Sequence, residues 1–295
     1  MNVAIYLPLV LALPLTFTAQ WIAARGTPAL AARGLTTIAV VAATSSTWSL
    51  ALLTLTMLDD LPPLSALDNP TRDMPEPVPG PFALLAGLAL LAVGARLLCD
   101  LRRRLQTHRE LRAIGTPQQG LVVADSCAPF AVAVPGRHGD AGHVLVTTGI
   151  LRLLDAQERR VLFAHERAHL VHRHHRVVAA AAIAAALNPL LIPVREAVVY
   201  LVERWADEEA AASVGDRDLT AQAVARAALA AVEATPAAAL GIGGGAAVRR
   251  VRALAAPAPP PRRRRLVGPT LLGAGFLAAV TVATYQFVAL ARAWL

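Results

Sequence analysis

The chain has 295 residues, 56% of them hydrophobic and only 16% charged, with a mean hydropathy of +0.51. That is too apolar for an ordinary soluble domain and makes a membrane protein the first expectation. The formal charge of +8 contains no lysine. Every basic side chain is an arginine, and the arginines cluster beside apolar runs, a pattern of membrane topology rather than of a nucleic-acid face, so no direct nucleic-acid contact is expected. Cys99 and Cys127 stand alone without a CxxC, which argues against a disulfide framework or a thiolate metal knuckle.

Four stretches reach the roughly 20 apolar residues that cross a bilayer: Val3 to Ala23, Leu35 to Leu58, Phe82 to Leu98 and Val267 to Ala291. The first is not read as a cleaved signal, because its start lacks Lys or Arg and Pro8 and Pro14 interrupt it. Arg25 and Arg33 lie between the first two spans without an acid, whereas five acids face a lone Arg72 between the second and third. The first loop is therefore expected inside and the second outside. Arginine runs follow span three and precede span four, so the segment between them is expected in the cytoplasm, with both termini outside.

The expected organisation is three N-terminal spans over 1–100, a cytoplasmic domain over 101–265 ending in an Arg/Pro-rich tether, and a fourth span over 266–295. From Gln119, "GLVVADS", "FAVAVPG" and "HVLVTTGIL" read as three strands of a small antiparallel sheet. "LDAQERRVLFAHERAHLVHRHH" then switches to helical spacing, with Asp155 and Glu158 forming a capping box about ten residues before His165. "VVAAAAIAAALNPLLIPV", broken at Asn188-Pro189 and Pro193, reads as a buried or membrane-grazing helical hairpin rather than a fifth span. "REAVVYLVERWADEEAAASVG" is an amphipathic helix stopping at Gly215, an alanine-rich helix follows, and "GIGGG" at Gly241 opens the tether.

His165-Glu166-Arg167-Ala168-His169 fits HExxH. On a helix the i, i+4 spacing places both imidazoles on one face, able to grip one zinc ion, and Glu166 lies where its carboxylate can act as general base on a water. A basic helix at the membrane surface is the competing reading. A catalytic zinc needs a third protein ligand. His175 has the offset of the last histidine in HExxHxxGxxH, but His172 occupies the glycine position. If the helix continues, His175 lies about 15 Å along the axis and out of reach, so His172, His174 and His175 are expected to face solvent or an interface. The other candidate is an acid on a following helix. "ERWAD" offers Glu203 as ligand, with Asp207 one turn later to bond a ligating histidine and fix its tautomer; Glu196, Glu208 and Glu209 are rivals without an acid at i+4 in an apolar stripe.

HExxH followed by a helical ExxxD resembles the gluzincin pattern. "VLVTTGILRLLDAQERRVLFAHERAHL", "LNPLLIP" and "ERWADEEAA", with three spans before and one after, resemble the BlaR/MecR-type membrane metallopeptidases and, more loosely, the HtpX and CAAX-protease metallopeptidases. The resemblance covers about Phe130 to Gly215 in sequence and the rest in topology. It implies an α-helical integral membrane protein of about four spans with a cytoplasmic, mainly helical α+β gluzincin-type domain. His165, His169 and Glu203 would hold one zinc ion, Glu166 would be the base, and Val144, Leu145, Val146 and Thr147 would form the edge strand to which a protein or peptide substrate adds. A BlaI/MecI-type repressor is one implied substrate, damaged membrane proteins another, and a signalling or scaffold protein with a structural zinc site is the non-enzyme alternative. The β-lactam sensors of that family carry a penicillin-binding domain after the last span, where this sequence ends at Leu295. A chain without lysine has no Ser-x-x-Lys motif, so no β-lactam acylation is expected.

Overall fold

The computed structural model describes residues 7–25, 27–55, 80–137, 140–233 and 240–258, with scattered positions between 274 and 288. Three helices open the chain: α1 (Leu7–Arg25), α2 (Pro28–Leu55) and α3 (Gly80–Ala113). Strands β1 (Leu121–Ala124), β2 (Ala131–Val134) and β3 (His143–Thr147) follow. The rest is helical: α4 (Thr148–Leu153), α5 (Ala156–Val171), α6 (His174–Leu187), a 3-10 turn (Pro189–Leu191), α7 (Ile192–Val214), α8 (Arg217–Glu233) and α9 (Leu240–Ala255).

Two stretches, Pro28–Leu55 and Pro81–Ala113, are long and apolar enough to cross a membrane by length and composition. Pro8–Ala24 is a shorter apolar helix. Most of the expected fourth span lies outside the described residues, although Trp48 Nε1 donates to Thr284 Oγ1 at 2.7 Å, so that position borders α2. α3 leaves Phe82, Leu84, Leu85, Leu88 and Leu91 exposed, which suits contact with lipid. It also runs unbroken through "RRRLQTHRELR", so the expected third span and the start of the next segment are one 34-residue helix.

The largest apolar core joins α1, α2, α6 and α7. Its contact faces are rich in small residues, among them Ala32, Ala39, Ala42, Ala43, Ala181, Ala184 and Ala197, which let the helix axes approach closely. The hairpin expected over 177–194 is α6, the 3-10 turn and the start of α7, and it packs on α2 through buried alanines. Asn188 makes the corner: its Oδ1 accepts from the Leu190 amide at 3.1 Å, and its Nδ2 donates to Ser46 Oγ of α2 at 3.0 Å.

Three expectations are corrected. The sheet is mixed: β1 pairs parallel and β2 antiparallel with β3. The order β1-β3-β2 puts β3 in the centre, so Val144, Leu145, Val146 and Thr147 are buried on a strand paired on both sides and form no edge. The uninterrupted apolar run of β3, Val144 to Val146, is what a two-sided central strand requires. Second, the histidine helix does not continue: α5 ends at Val171 with His172 as its C-cap, and Arg173 adopts a left-handed conformation, φ 52°. That conformation costs a non-glycine residue about 1 kcal/mol, which the packing of α6 on α2 and α7 offsets. Third, residues 240–255 are helix rather than tether. Val251 and Leu254 of α9 seat on Ala211 of α7 and on Ala221 and Val224 of α8, and that burial outweighs the glycines at the start of α9.

Candidate metal centre

α5 carries the HExxH residues and starts as the sequence suggests. Asp155 Oδ1 accepts from the Gln157 and Glu158 amides at 2.9 Å each, while Glu158 Oε2 accepts from the Asp155 amide at 3.0 Å. Arg226 of α8 also reaches Glu158 Oε2, at 2.7 Å, tying the helix start to α8. α5 packs against α7, which brings Glu203 opposite the two histidines.

His165 Nε2 and His169 Nε2 are 3.1 Å apart. Glu203 Oε2 is 3.5 Å from His165 Nε2, and Glu203 Oε1 is 3.6 Å from His169 Nε2. Ligands about 2.0–2.1 Å from a tetrahedral zinc lie about 3.3 Å from one another. The three side chains therefore fit a zinc ion within a few tenths of an ångström, and their chemistry, two imidazoles and a carboxylate, is that of a catalytic site with one position open. They are the group that can hold a metal among the described residues. The rival acids are engaged elsewhere: Glu208 with Arg217 and Arg204, Glu209 with Trp205 and His172, while Glu196 is exposed.

Around this set lies a charged cage. Asp207 is buried, with Oδ1 3.1 Å from His165 Nδ1. Arg250 of α9 grips Asp207 in a fork, Nε to Oδ2 at 2.8 Å and Nη2 to Oδ1 at 2.7 Å, and its Nη1 is 3.2 Å from Glu203 Oε2. Burial lowers the His165 pKa, but Asp207 and Glu203 outweigh it and lift it to about 10. Burial would raise Glu203, yet His165 and Arg250 hold it well below the usual carboxylate range. Asp207 is likewise held low by Arg250 and His165 against its burial.

Glu166 differs. It is buried, and desolvation raises its pKa, only partly opposed by His165 and by the hydrogen bond from the Ala133 backbone N–H. A carboxylate lifted in this way is suited to take and return a proton.

The break at Arg173 supplies a residue that spacing alone did not assign. His174 turns back under the site and is fully buried, against the expectation that it faces solvent or an interface; its Nδ1 is 3.1 Å from His169 Nδ1. Burial, then His169, lowers its pKa to about 3, so it stays neutral. For His169 to offer its Nε2 lone pair to a metal, its proton sits on Nδ1 and is donated to His174 Nδ1. Each histidine of the candidate metal set thus has a polar neighbour at its Nδ1, Asp207 at 3.1 Å for His165 and His174 at 3.1 Å for His169. His172 and His175 are half-buried and outside the metal group, and His172 Nε2 lies 3.3 Å from Glu209 Oε1. Trp205 lies over His174, ring centroids 4.5 Å apart, and the Arg33 guanidinium of α2 stands 4.7 Å from the Trp205 ring.

Residues 100–231 match Peptidase family M48. The matched segment contains α5, α6 and α7 with all three metal-facing side chains, and stops before Arg250. The "Protease HtpX homolog" of Burkholderia thailandensis is 39% identical over 72 residues, 23% of this chain and 25% of that protein. The protein of the same name from Thermodesulfovibrio yellowstonii is 38% identical over 94 residues, 32% of this chain and 31% of that one. The chain thus spans between a quarter and a third of the length of these curated relatives. No solved structure matches. The likeness to Peptidase family M48 thus covers the segment that carries His165, His169 and Glu203.

Proposed function

We propose that the chain is a multi-pass membrane zinc endopeptidase that cuts a protein substrate at the cytoplasmic face, with both termini outside. The observation that carries this reading is the buried Glu166 carboxylate beside a two-histidine, one-glutamate set whose ligand atoms are 3.1–3.6 Å apart. His165, His169 and Glu203 would hold a zinc ion, which would supply Lewis acidity for the carbonyl and the attacking water. Glu166 takes the proton of the attacking water on its carboxylate and returns it to the leaving amine nitrogen. Asp207 and His174 hold the two imidazoles with Nε2 forward, and Arg250 keeps Asp207 and Glu203 ionised and in place.

The strand assigned to substrate moves from β3 to β2. Thr147 N donates to Phe130 O, so Phe130, Val132 and Val134 face β3, while Ala131 and Ala133 turn their backbone groups away from it. The Ala133 amide already reaches Glu166. An extended peptide pairing with the Ala131 backbone and the Ala133 carbonyl would therefore lie alongside the general base.

The test is cleavage of an unstructured protein such as casein by the full chain in lipid nanodiscs with one equivalent of zinc, against Glu166→Gln. Loss of cleavage with zinc retained supports the reading, and equal cleavage by both sinks it. A structural zinc site in a scaffold protein would show metal without turnover in either. Proteomic comparison of cells carrying the two forms then separates the substrate classes: a single cleaved repressor of the BlaI/MecI type, or scattered membrane-protein fragments.

A further inference from the structure

α7 carries Asp207 and Glu208 side by side, and each takes a guanidinium from elsewhere in the fold. Asp207 holds Arg250 of α9 in its fork, at 2.7 and 2.8 Å. Glu208 holds Arg217, the first residue of α8, with Oε2 2.5 Å from Nη1 and Oε1 3.2 Å from Nη2. Arg217 also reaches the end of α9: its Nε donates to the Leu254 carbonyl, and its Nη2 to the carbonyls of Ala253 and Ala256, each at 3.1 Å. Both arginines are half-buried. The contacts close a ring, from Asp207 through Arg250 and one turn of α9 to Arg217, and back to α7 at Glu208.

An arginine at the first position of a helix sits at the positive end of its dipole, where an acid is the favourable choice. Asp216 makes the ordinary cap of α8, its Oδ1 accepting from the Leu219 amide at 2.9 Å. Arg217 serves α9 instead, whose last carbonyls have no partner within their own helix. That helix needs the hold. Its first six residues include Gly241, Gly243, Gly244 and Gly245, and an isolated helix of 16 residues with so much glycine is marginal in water. Its apolar seat, Val251 and Leu254 on Ala211, Ala221 and Val224, is non-directional and does not by itself set a register. A slip of one residue would turn α9 by about 100° and move it about 1.5 Å, taking Arg250 off Asp207. Hydrogen bonds from a fixed guanidinium to three particular carbonyls oppose that slip, because they weaken steeply when distance and angle are lost.

We propose that Arg217 is a positioning residue for the metal centre: anchored on Glu208, it fixes the register of α9 in which Arg250 meets Asp207 and Glu203. It acts through Arg250 and not on the metal-facing atoms. This rests on the reading of His165, His169 and Glu203 as a zinc set, and its test reads zinc affinity and backbone protection rather than cleavage.

The full chain in lipid nanodiscs is stripped of metal and titrated with zinc against a competing chelator. Arg217→Gln is expected to lose about tenfold in zinc affinity, at the lower end of the roughly 10–100-fold expected when a group that orients a metal ligand is removed. In an Arg250→Ala background the same substitution should cost nothing further, whereas two losses that multiply would overturn the route through Arg250. Leu15→Ala, in the apolar core on α1, should keep the wild-type zinc affinity. A loss there equal to that of Arg217→Gln would make the effect one of general stability and overturn the assignment.

Wild type alone supplies a measurement that needs no variant to fold. Coupling is reciprocal, so if a seated α9 tightens zinc, zinc must hold α9 in its seat by the same factor. Hydrogen exchange of amides 250–255 is expected to slow about tenfold or more when zinc is added, and to slow more than that of β1. Unchanged exchange over 250–255, or a slowing no greater than in β1, would refute the coupling. Wild type that binds no zinc sinks the metal-centre reading and this inference with it; zinc bound equally by wild type and Arg217→Gln sinks this inference alone.

Discussion

The two halves of α7 rest on different physics. From Val194 to Val202 the helix buries Val194, Ala197, Val198, Leu201 and Val202 against α1, α2 and α6, with close packing as the adhesive. From the very next residue the same helix presents Glu203 and, one turn on, Asp207 to a cage of His165, His169 and Arg250, where paired charges replace apolar contact. The first half tolerates the loss of a methyl group as a graded penalty. The second does not, because removing one partner leaves another charge buried without compensation.

The sharpest break of that contrast is chemical. Glu166→Gln should lower peptide hydrolysis about a hundredfold to ten-thousandfold while one zinc per chain remains by elemental analysis; metal loss in this variant would mean that Glu166 is part of the cradle. Glu203→Ala should take zinc content well below one per chain, and an unchanged content would remove Glu203 from the ligand set. Arg250→Ala leaves Asp207 buried without its fork, and a loss of about 3–5 kcal/mol in unfolding free energy is expected, with zinc affinity falling about 10–100-fold. Leu201→Ala, on the apolar half, should cost about 2–5 kcal/mol by denaturant unfolding but leave zinc affinity unchanged, and a shifted affinity would show that the halves are not separable. The smallest effect belongs to Arg173→Gly, which relieves the left-handed residue: a gain of about 1 kcal/mol or less, with zinc content and cleavage as in wild type.

What the sequence made legible was local. Asp155 and Glu158 announce the start of α5, HExxH places two imidazoles on one face, and ExxxD places Glu203 and Asp207 one turn apart, because each pattern is closed within four residues of helix. The misreadings involve partners far along the chain. Nothing in "HVLVTTGIL" says that β1 pairs with its other side, so an edge and a centre look alike; only its unbroken apolar run hinted at the centre. The helix break at Arg173 is decided by α6 packing on α2, more than 100 residues earlier, and it alone turns His174 under His169. Arg250 lies 43 residues beyond Asp207, after a glycine run that reads as slack chain; the apolar spacing of Val248, Val251 and Leu254 was the available signal for α9.

The bond between Asn188 and Ser46 acts as a datum for the whole machine. It is a polar pair set among alanines and leucines, and sliding the α6–α7 corner by one turn along α2 would strand the Asn188 amide at about 1–3 kcal/mol, while Ser46 Oγ keeps donating to the Ala42 carbonyl at 2.7 Å. α7 starts just past that corner, and Glu203 stands about 17 Å further along its axis. The depth at which the carboxylate meets the two imidazoles is thus gauged from a single hydroxyl on α2, as a ruler is read from its zero mark.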